Sequence, residues 1–340
     1  QPRTLPVVVH RRRLHGRSPA AQTNTLVCMD VMSRAPARLQ RPLSLLLEAA
    51  GEDQVFSTGQ ARAQGITAAD LRRLESARVA VRLGRGWYGV HDPTLDGKQR
   101  HVRRTHALLR AHKGSAVASH HSALLLAGIP AFAADVDTVH LTYREGGANR
   151  ARPGFVAHVA DRSTCNLPSD DLAVPVAHSI VQAGMLAGPL ATLVAGDHAL
   201  RFGLTTSGEL ESAAAAHRGC RGIAPVVEVL PRLDARAESP PESLVRYMLE
   251  ELGYTVEPQI AVRVEGRDYR GDLGIPELML IVEVDGRVKY EGLDAAAVAM
   301  AEKTREAALR RAGWMIVRLT WSEIVTPSGV LRPENVRAFI

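Results

Sequence analysis

Acidic residues in the last hundred residues of the chain have the types and the spacing of a metal site. Glu283 and Asp285 close the apolar run LMLIVEVDG two positions apart, so both project from one face of a strand. Asp272 interrupts the apolar pattern of the preceding predicted strand, over 269–275. Charged groups in such strands are costly unless they are compensated, and a divalent cation compensates them well. We therefore expect Asp272 and Glu283 to hold Mg²⁺ or Mn²⁺, which would polarise a phosphodiester oxygen and activate an attacking water.

Two further residues complete the candidate catalytic set, which is Glu242, Asp272, Glu283, Asp285 and Lys289. Glu242 is expected either to bind the metal or to orient the water, and Lys289 to stabilise the developing negative charge. The alternative is that these carboxylates are solvated at strand ends, with Asp285 and Gly286 forming a turn.

The elements that must position these residues are predicted in the order αβββαβ. Ser239 at the N-cap, two prolines and Glu242 at the third position predict a helix that closes a capping box and ends at Gly253. Apolar runs then predict three strands, a long helix and a last strand, over 259–264, 269–275, 278–284, 295–312 and 314–319. We assign this C-terminal domain to residues 237–340.

Three segments of this domain resemble a known nuclease family. ESPPESL, YRGDLGIPELMLIVEVDGRVKY and AEKTREAALRRAGWMIVRLTW are similar to the very-short-patch-repair-endonuclease-like family of the PD-(D/E)XK fold, over residues 239 to about 325. The resemblance implies a restriction-endonuclease-like domain in which Asp272 and Glu283 bind the metal and Glu242 is the acidic residue of the first helix. The chain departs from the general motif at Asp285, where the motif has the catalytic lysine, and Lys289 is the substitute nearby.

The first third of the chain predicts a winged helix-turn-helix over residues 41–93. Leucines after Pro42 predict a helix that ends near Gly51, and Ser57 and Thr67 are predicted N-caps of two more helices, over 58–64 and 68–78. Two β-like runs, 79–83 and 87–90, are joined by Gly84-Arg85-Gly86 in a tight hairpin.

In a winged helix the third helix enters the major groove and the hairpin touches the DNA backbone. The candidate DNA contacts are Arg72, Arg73, Arg82 and Arg85. The alternative is a solvated basic face or a protein contact. The segment QVFSTGQARAQGITAADLRRLESARVAVRLGRGWYGV resembles the N-terminal domain of AbiEi-type antitoxins over about 50 residues. That resemblance implies the double-stranded DNA-binding module of a transcriptional autoregulator, and in an antitoxin a cognate toxin protein as a second partner.

Residues 94–236 predict a connecting α/β domain without assigned chemistry. His120 and His121 are adjacent, so on a helix they point about 100° apart and are expected to have capping or core roles. His140, His158 and the other scattered histidines lack the spacing of metal ligands, and we assign none of them.

Composition sets the wider limits. A chain of 340 residues exceeds one ordinary core, so we expect an α+β multidomain protein. The net charge of +6 permits a polyanionic partner. Residues 1–40 are expected to be a disordered basic tail or a mis-annotated start. Three distant cysteines favour a reducing cytoplasm.

Residues 172–196 carry no charged side chain other than histidine, which raises the question of a membrane span. Their prolines and glycines favour two buried helices broken near Gly188-Pro189 instead, so we expect no membrane partner. Two functions remain open: a DNA-associated, metal-dependent endonuclease, and a non-catalytic regulator of the antitoxin type.

Overall fold

The computed structural model describes residues 33–51, 53–285, 295–326 and 329–338. These residues form a mixed α/β structure that contains helices and four small sheets. The chain forms two compact units. The first runs through Leu95 and includes His106–Leu108, and the second comprises Asp96–Thr105 and Leu109–Ile340. The predicted start segment up to residue 32 lies outside the described residues.

In its described residues the first unit consists of helices and a three-stranded sheet. The elements are α1 (Ala37–Ala50), β1 (Val55–Ser57), α2 (Thr58–Ala63), α3 (Ala68–Ser76), β2 (Ala80–Gly84) and β3 (Trp87–Val90). Helix α1 starts inside the predicted tail, because Leu39 begins an apolar face that continues through Leu43 and Leu46 into the core.

The predicted caps of the next two helices are confirmed. Ser57 and Gln60 form a capping box on α2, and Thr67 and Asp70 form one on α3. The hairpin of β2 and β3 also forms, with Gly86 in the left-handed conformation at a φ of +75°. Strand β1, which the sequence did not predict, pairs with β3 and completes an antiparallel sheet of order β1-β3-β2.

The second unit begins with helices packed around a mixed sheet. Its elements here are α4 (Gly97–His112), β4 (Ala116–Ala118), α5 (His120–Leu126), β5 (Val139–Tyr143), β6 (Arg150–Arg152), β7 (Phe155–His158), α6 (Val176–Ala187), α7 (Pro189–Arg201), α8 (Ser207–Ala216) and α9 (Ile223–Val229). The sheet has the order β4-β5-β7-β6, with β5 and β7 parallel. Helices α6 and α7 break at Gly188, as predicted. Among the described residues no helix has the length and apolar character needed to cross a bilayer.

The last part of the second unit departs from the predicted αβββαβ order. Its elements are α10 (Pro240–Glu251), β8 (Glu257–Pro258), β9 (Ala261–Val264), β10 (Arg267–Arg270), β11 (Leu273–Ile275), β12 (Leu280–Asp285), α11 (Ala295–Arg311), β13 (Met315–Thr320), α12 (Trp321–Ile324) and α13 (Pro333–Ala338). The predicted strand 269–275 is divided, because β10 pairs only with β9 while β11 joins the sheet β13-β12-β11-β8.

Two glycines in this region are closely packed. A side chain at Gly271 would bring its Cβ within 2.5 Å of Ile281 Cγ2, and one at Gly274 within 2.2 Å of Ile260 Cδ1. Asp272 lies between β10 and β11, and not midway along one strand as predicted.

Residues from both sides of the predicted boundary at 236/237 share one core. Val194 of α7 packs with Leu244 and Val245 of α10 and with Leu273 and Val282 of the sheet. The sequence predicted two domains here, and the structure places both segments in one compact unit.

A buried ion pair joins α7 to α10. Arg246 Nη2 lies 2.8 Å from Asp197 Oδ2, and the side chains are 3% and 1% exposed. Arg246 Nη1 also donates to the carbonyl of Arg232 at 2.7 Å, and Asp197 Oδ1 accepts from the Asp234 N–H at 2.7 Å. Burial raises the pKa of Asp197, although the charge of Arg246 acts in the opposite direction. The pair therefore depends on both partners being present.

Replacing Arg246 by Met should lower the free energy of unfolding of the second unit by about 3–5 kcal/mol, because Asp197 would stay buried without its cation. Urea unfolding followed by circular dichroism measures the loss. Arg311→Met is the matched control, since its contact with Glu265 is 3.6 Å long and both side chains are about two-thirds exposed. That control should cost under about 1 kcal/mol, and equal losses in the two variants would contradict the argument.

Candidate functional site

Glu283, the centre of the predicted metal site, is held by two arginines. It lies on β12 opposite Arg318 of the parallel strand β13, and its Oε2 accepts from Arg318 Nε at 3.1 Å. Its Oε1 accepts from Arg305 of α11. The Glu283 side chain is 14% exposed, so these contacts form largely away from solvent.

The two arginines extend the network to further acidic residues on α11. Arg318 contacts Glu302 at 2.8 Å and Glu306 at 2.9 Å, and Arg305 contacts Glu302 at 2.8 Å. Burial opposes the charge on Arg305, but the hydrogen bond to Glu283 and the nearby carboxylates outweigh it and raise its pKa. The hydrogen bond to Glu306 and the charges of Glu283, Glu306 and Glu302 likewise outweigh burial and raise the pKa of Arg318. Both arginines therefore stay charged, and Glu283 has two permanent cationic partners.

The antiparallel pairing of β11 with β12 brings Asp272 to the level of Glu283. The Asp272 carboxylate, however, bonds to the backbone and not to an arginine. Leu273 pairs with Val282, so Asp272 precedes β11 at the level of the end of β12. Its Oδ2 accepts from the Val284 N–H at 2.9 Å, and its carbonyl accepts from the Gln259 N–H at 2.7 Å. The Asp272 carboxylate thus bonds to the end of β12 where β11 begins.

Glu242 is buried at the start of α10 and caps the chain there. Its carboxylate accepts from the Ser239 hydroxyl at 2.7 Å, the Glu238 N–H at 3.0 Å and Gln259 Nε2 at 2.9 Å. In the predicted capping box Glu242 would accept from the Ser239 N–H. In the structure it accepts from the Ser239 hydroxyl and the Glu238 N–H instead. Burial raises the pKa of Glu242, and the negative charge of Asp272 adds to the effect.

The Mg²⁺ or Mn²⁺ predicted for these carboxylates would have to compete with protein partners. Each already accepts hydrogen bonds from protein donors, and Glu283 is neutralised by Arg305 and Arg318. Among the described residues, no three acidic side chains approach one another at metal-binding distances. Asp285 ends β12, but its side chain and the whole of Lys289 lie outside the described residues. The predicted site is thus an ion-pair network in its described part.

The four predicted DNA contacts all lie on the surface of the first unit. Arg72 and Arg73 are exposed on α3, Arg82 is exposed on β2 and Arg85 is exposed in the hairpin turn. Arg73 Nη1 lies 3.6 Å from Asp70, and Arg82 Nε donates to the Gly84 carbonyl at 3.4 Å.

Asp70, in the first turn of α3, already has partners for its negative charge. It accepts hydrogen bonds from Thr67 in the capping box and from Arg38, which together hold its pKa well below the usual range. Asp70 is therefore already paired, while Arg72 and Arg73 stay exposed on the same helix.

A group of histidines that the sequence did not predict gathers in the second unit. Ligand nitrogens of His120, His140 and His158 all lie within 4.8 Å of one another. Two further histidines extend the group. The ring centroid of His121 lies 4.8 Å from that of His140, and the ring centroid of His101 lies 5.2 Å from that of His121. The sequence signal was the short strand pattern around His140 and His158, but only the pairing of the strands brings them together.

Burial keeps these histidines neutral at pH 7. It lowers the pKa of His101 to about 4 and that of His140 to about 3, and neighbouring histidines add to the effect. The pKa of His120 falls well below 6.5 for the same two reasons. The nearby carboxylates of Asp135 and Asp161 have lowered pKa values, so they remain ionised in this range.

Stability should fall as the pH drops from about 6.5 towards about 4, because the unfolded chain binds protons at these histidines while the folded chain does not. His140→Gln should reduce the pH dependence of the unfolding free energy by up to about 1.4 kcal/mol per pH unit in that window. Denaturant unfolding at a series of pH values measures both slopes. Parallel slopes in the two proteins would contradict the assigned cause.

Comparison with known proteins places the chain among relatives from one bacterial species. No model of a known protein family matches it. The chain is 32% identical over 266 residues to uncharacterized protein MT2308 of Mycobacterium tuberculosis (strain CDC 1551 / Oshkosh). The alignment covers 75% of this chain and 92% of the relative. Uncharacterized protein Rv2248 of strain ATCC 25618 / H37Rv matches to the same extent. The chain therefore belongs to the family of these two mycobacterial proteins.

Proposed function

We propose that this protein is a double-stranded DNA-binding regulator whose first unit is a winged helix. The observation that carries the proposal is the exposed basic surface formed by α3 and the hairpin of β2 and β3. Helix α2, the turn at Gly65 and helix α3 have the order of a helix-turn-helix, and α3 occupies the place of its recognition helix. The hairpin follows directly, as the wing does in such domains.

The available charges favour Arg72 and Arg85 as the main contacts. Among the described residues, neither guanidinium takes part in an ion pair, whereas Arg73 lies near Asp70. A guanidinium without an internal partner can neutralise a phosphate and release counterions, which drives binding to DNA. Arg72 on the helix is positioned for a groove, and Arg85 at the tip of the turn for the backbone.

We further propose that the protein binds DNA without hydrolysing it. Support comes from Glu283, whose partners are arginines where a nuclease of the resembled fold requires a metal. In this role the C-terminal sheet and its helices act as a surface for DNA or protein. An antitoxin-type regulator would have a cognate toxin as that protein partner, which copurification from the native operon tests.

Arg72→Ala and Arg85→Ala should each weaken DNA binding, by about 1 kcal/mol or more, because each removes a positive charge from the proposed interface. Fluorescence anisotropy with duplexes from the protein's own upstream region measures the dissociation constant. Arg85→Ala should also lower the slope of log K against log salt by about 1.

Arg41→Ala is the control for net charge, since Arg41 is an exposed arginine of α1 outside the proposed surface. It should bind DNA as the unchanged protein does. Equal weakening by all three substitutions would show that overall charge, and not this surface, attracts the DNA.

Incubation of supercoiled plasmid with the full chain and Mg²⁺ or Mn²⁺ should produce no nicking. Glu283→Ala provides the matched variant, because it removes the residue on which the predicted hydrolysis depends. Metal-dependent nicking that disappears in Glu283→Ala would overturn the non-catalytic proposal and establish the endonuclease alternative.

A further inference from the structure

Three histidines from distant parts of the second unit lie around one point. His140 is on β5, His158 is at the end of β7, and His120 is the first residue of α5. Strands β5 and β7 are parallel, with His140 opposite Val156 and His158 opposite Thr142. His140 and His158 are therefore diagonal neighbours on one face of the sheet. His120, with a φ of +53°, brings a third imidazole to that face.

The ring nitrogens are arranged as a set of ligands would be. His140 Nδ1 and His158 Nε2 share a hydrogen bond of 2.9 Å, which an ion bound between them would replace. The rings of His120 and His158 stack with centroids 4.2 Å apart. His120 Nδ1 contacts the Ser119 hydroxyl at 3.0 Å, which leaves its Nε2 for a ligand. A bond from the second ring nitrogen to a neighbouring group is the usual way in which a metal-binding histidine is oriented.

The other two histidines of the group serve as supports. His101 uses both ring nitrogens, to the Val136 carbonyl at 2.9 Å and the Ser122 hydroxyl at 2.8 Å. His121 Nε2 contacts the Thr138 carbonyl at 2.9 Å. Ser122 also accepts a hydrogen bond from the His140 N–H at 2.8 Å, so this layer fixes the strand that carries one of the three ligands.

We propose that His120, His140 and His158 bind one transition-metal ion of the zinc class. Three imidazoles are nitrogen ligands that suit Zn²⁺, Co²⁺, Ni²⁺ or Cu²⁺, whereas Mg²⁺ and Ca²⁺ require oxygen ligands. His120 and His158 are half-buried while His140 is buried, so the ion can enter from one side. Three protein ligands leave a fourth position for water or for another molecule.

Protonation and charge favour this site. The three pKa values are lowered by burial, and the imidazoles are in the neutral form that a metal requires. The carboxylate of Asp161 acts electrostatically on both His120 and His158, which offsets part of the positive charge of a bound ion. The site belongs to the segment that the sequence left without chemistry, and it does not depend on DNA binding.

The test uses the full chain, freed of metal by a chelator and then titrated with Zn²⁺ in a calorimeter. One ion should bind per chain. Co²⁺ should bind with the visible absorption of a four-coordinate nitrogen site, which identifies the ligand class without any substitution. Zn²⁺ should also raise the melting temperature, because it binds only the folded chain.

His120→Asn removes one ligand and keeps the backbone conformation, since Asn is among the residues that tolerate a positive φ. It should weaken Zn²⁺ binding by more than about a hundred-fold, because loss of an outer-shell partner alone costs about 10- to 100-fold. His198→Asn, on α7 and outside the cluster, is the matched control and should bind as the unchanged protein does.

Three results would overturn the proposal. The first is the absence of Zn²⁺ binding by the folded, unchanged chain, which would make the cluster a stack of hydrogen-bonded imidazoles alone. The second is binding that persists unchanged in His120→Asn. The third is a Co²⁺ spectrum dominated by thiolate, which would place the ion at a cysteine. None of these results bears on DNA binding, so the two proposals fail or succeed separately.

Discussion

The second unit depends on pairing its buried charges within the protein. Arg246 and Asp197 are both nearly inaccessible to solvent, and they connect a helix of the middle segment to the first helix of the C-terminal segment. An unpaired charge there would destabilise the unit, so the two segments are held in one arrangement. Val194 of α7 and Leu244 of α10 belong to one hydrophobic core, so the same two helices also share apolar packing. The ion pair and the shared core both join segments that were predicted as separate domains.

The same constraint decides the chemistry of the C-terminal sheet. A carboxylate at the position of Glu283 requires a positive partner, and either a divalent ion or arginine can supply it. In this structure Arg305 and Arg318 supply it, and burial strengthens the pairing. The acidic residue Glu283, which the sequence predicts as a metal ligand, therefore has its charge balanced within the sheet. The DNA binding that we propose rests on the separate basic surface of the first unit.

The histidine cluster satisfies the constraint in another way. Its members remain uncharged, because burial and mutual repulsion lower their pKa values. Neutral imidazoles need no counterion, but their nitrogen lone pairs are available to a soft or borderline metal. In this unit the carboxylate oxygens of Glu283 are occupied by arginines, whereas the imidazole nitrogens of the histidine cluster lie close together. This difference is the physical basis for expecting zinc-class chemistry in place of magnesium chemistry.

Local signals in the sequence determined much of the fold of this protein. The caps at Ser57 and Thr67 and the break at Gly188 were predictable, because each depends on residues within a few positions of one another. The partners of Glu283 and the meeting of His120 with His158 were decided only by the tertiary structure. Those contacts join residues about 20 to 40 positions apart, and strand pairing and helix packing set them. Residue types alone indicated where charge and imidazole occur, but not which groups would neutralise or approach them.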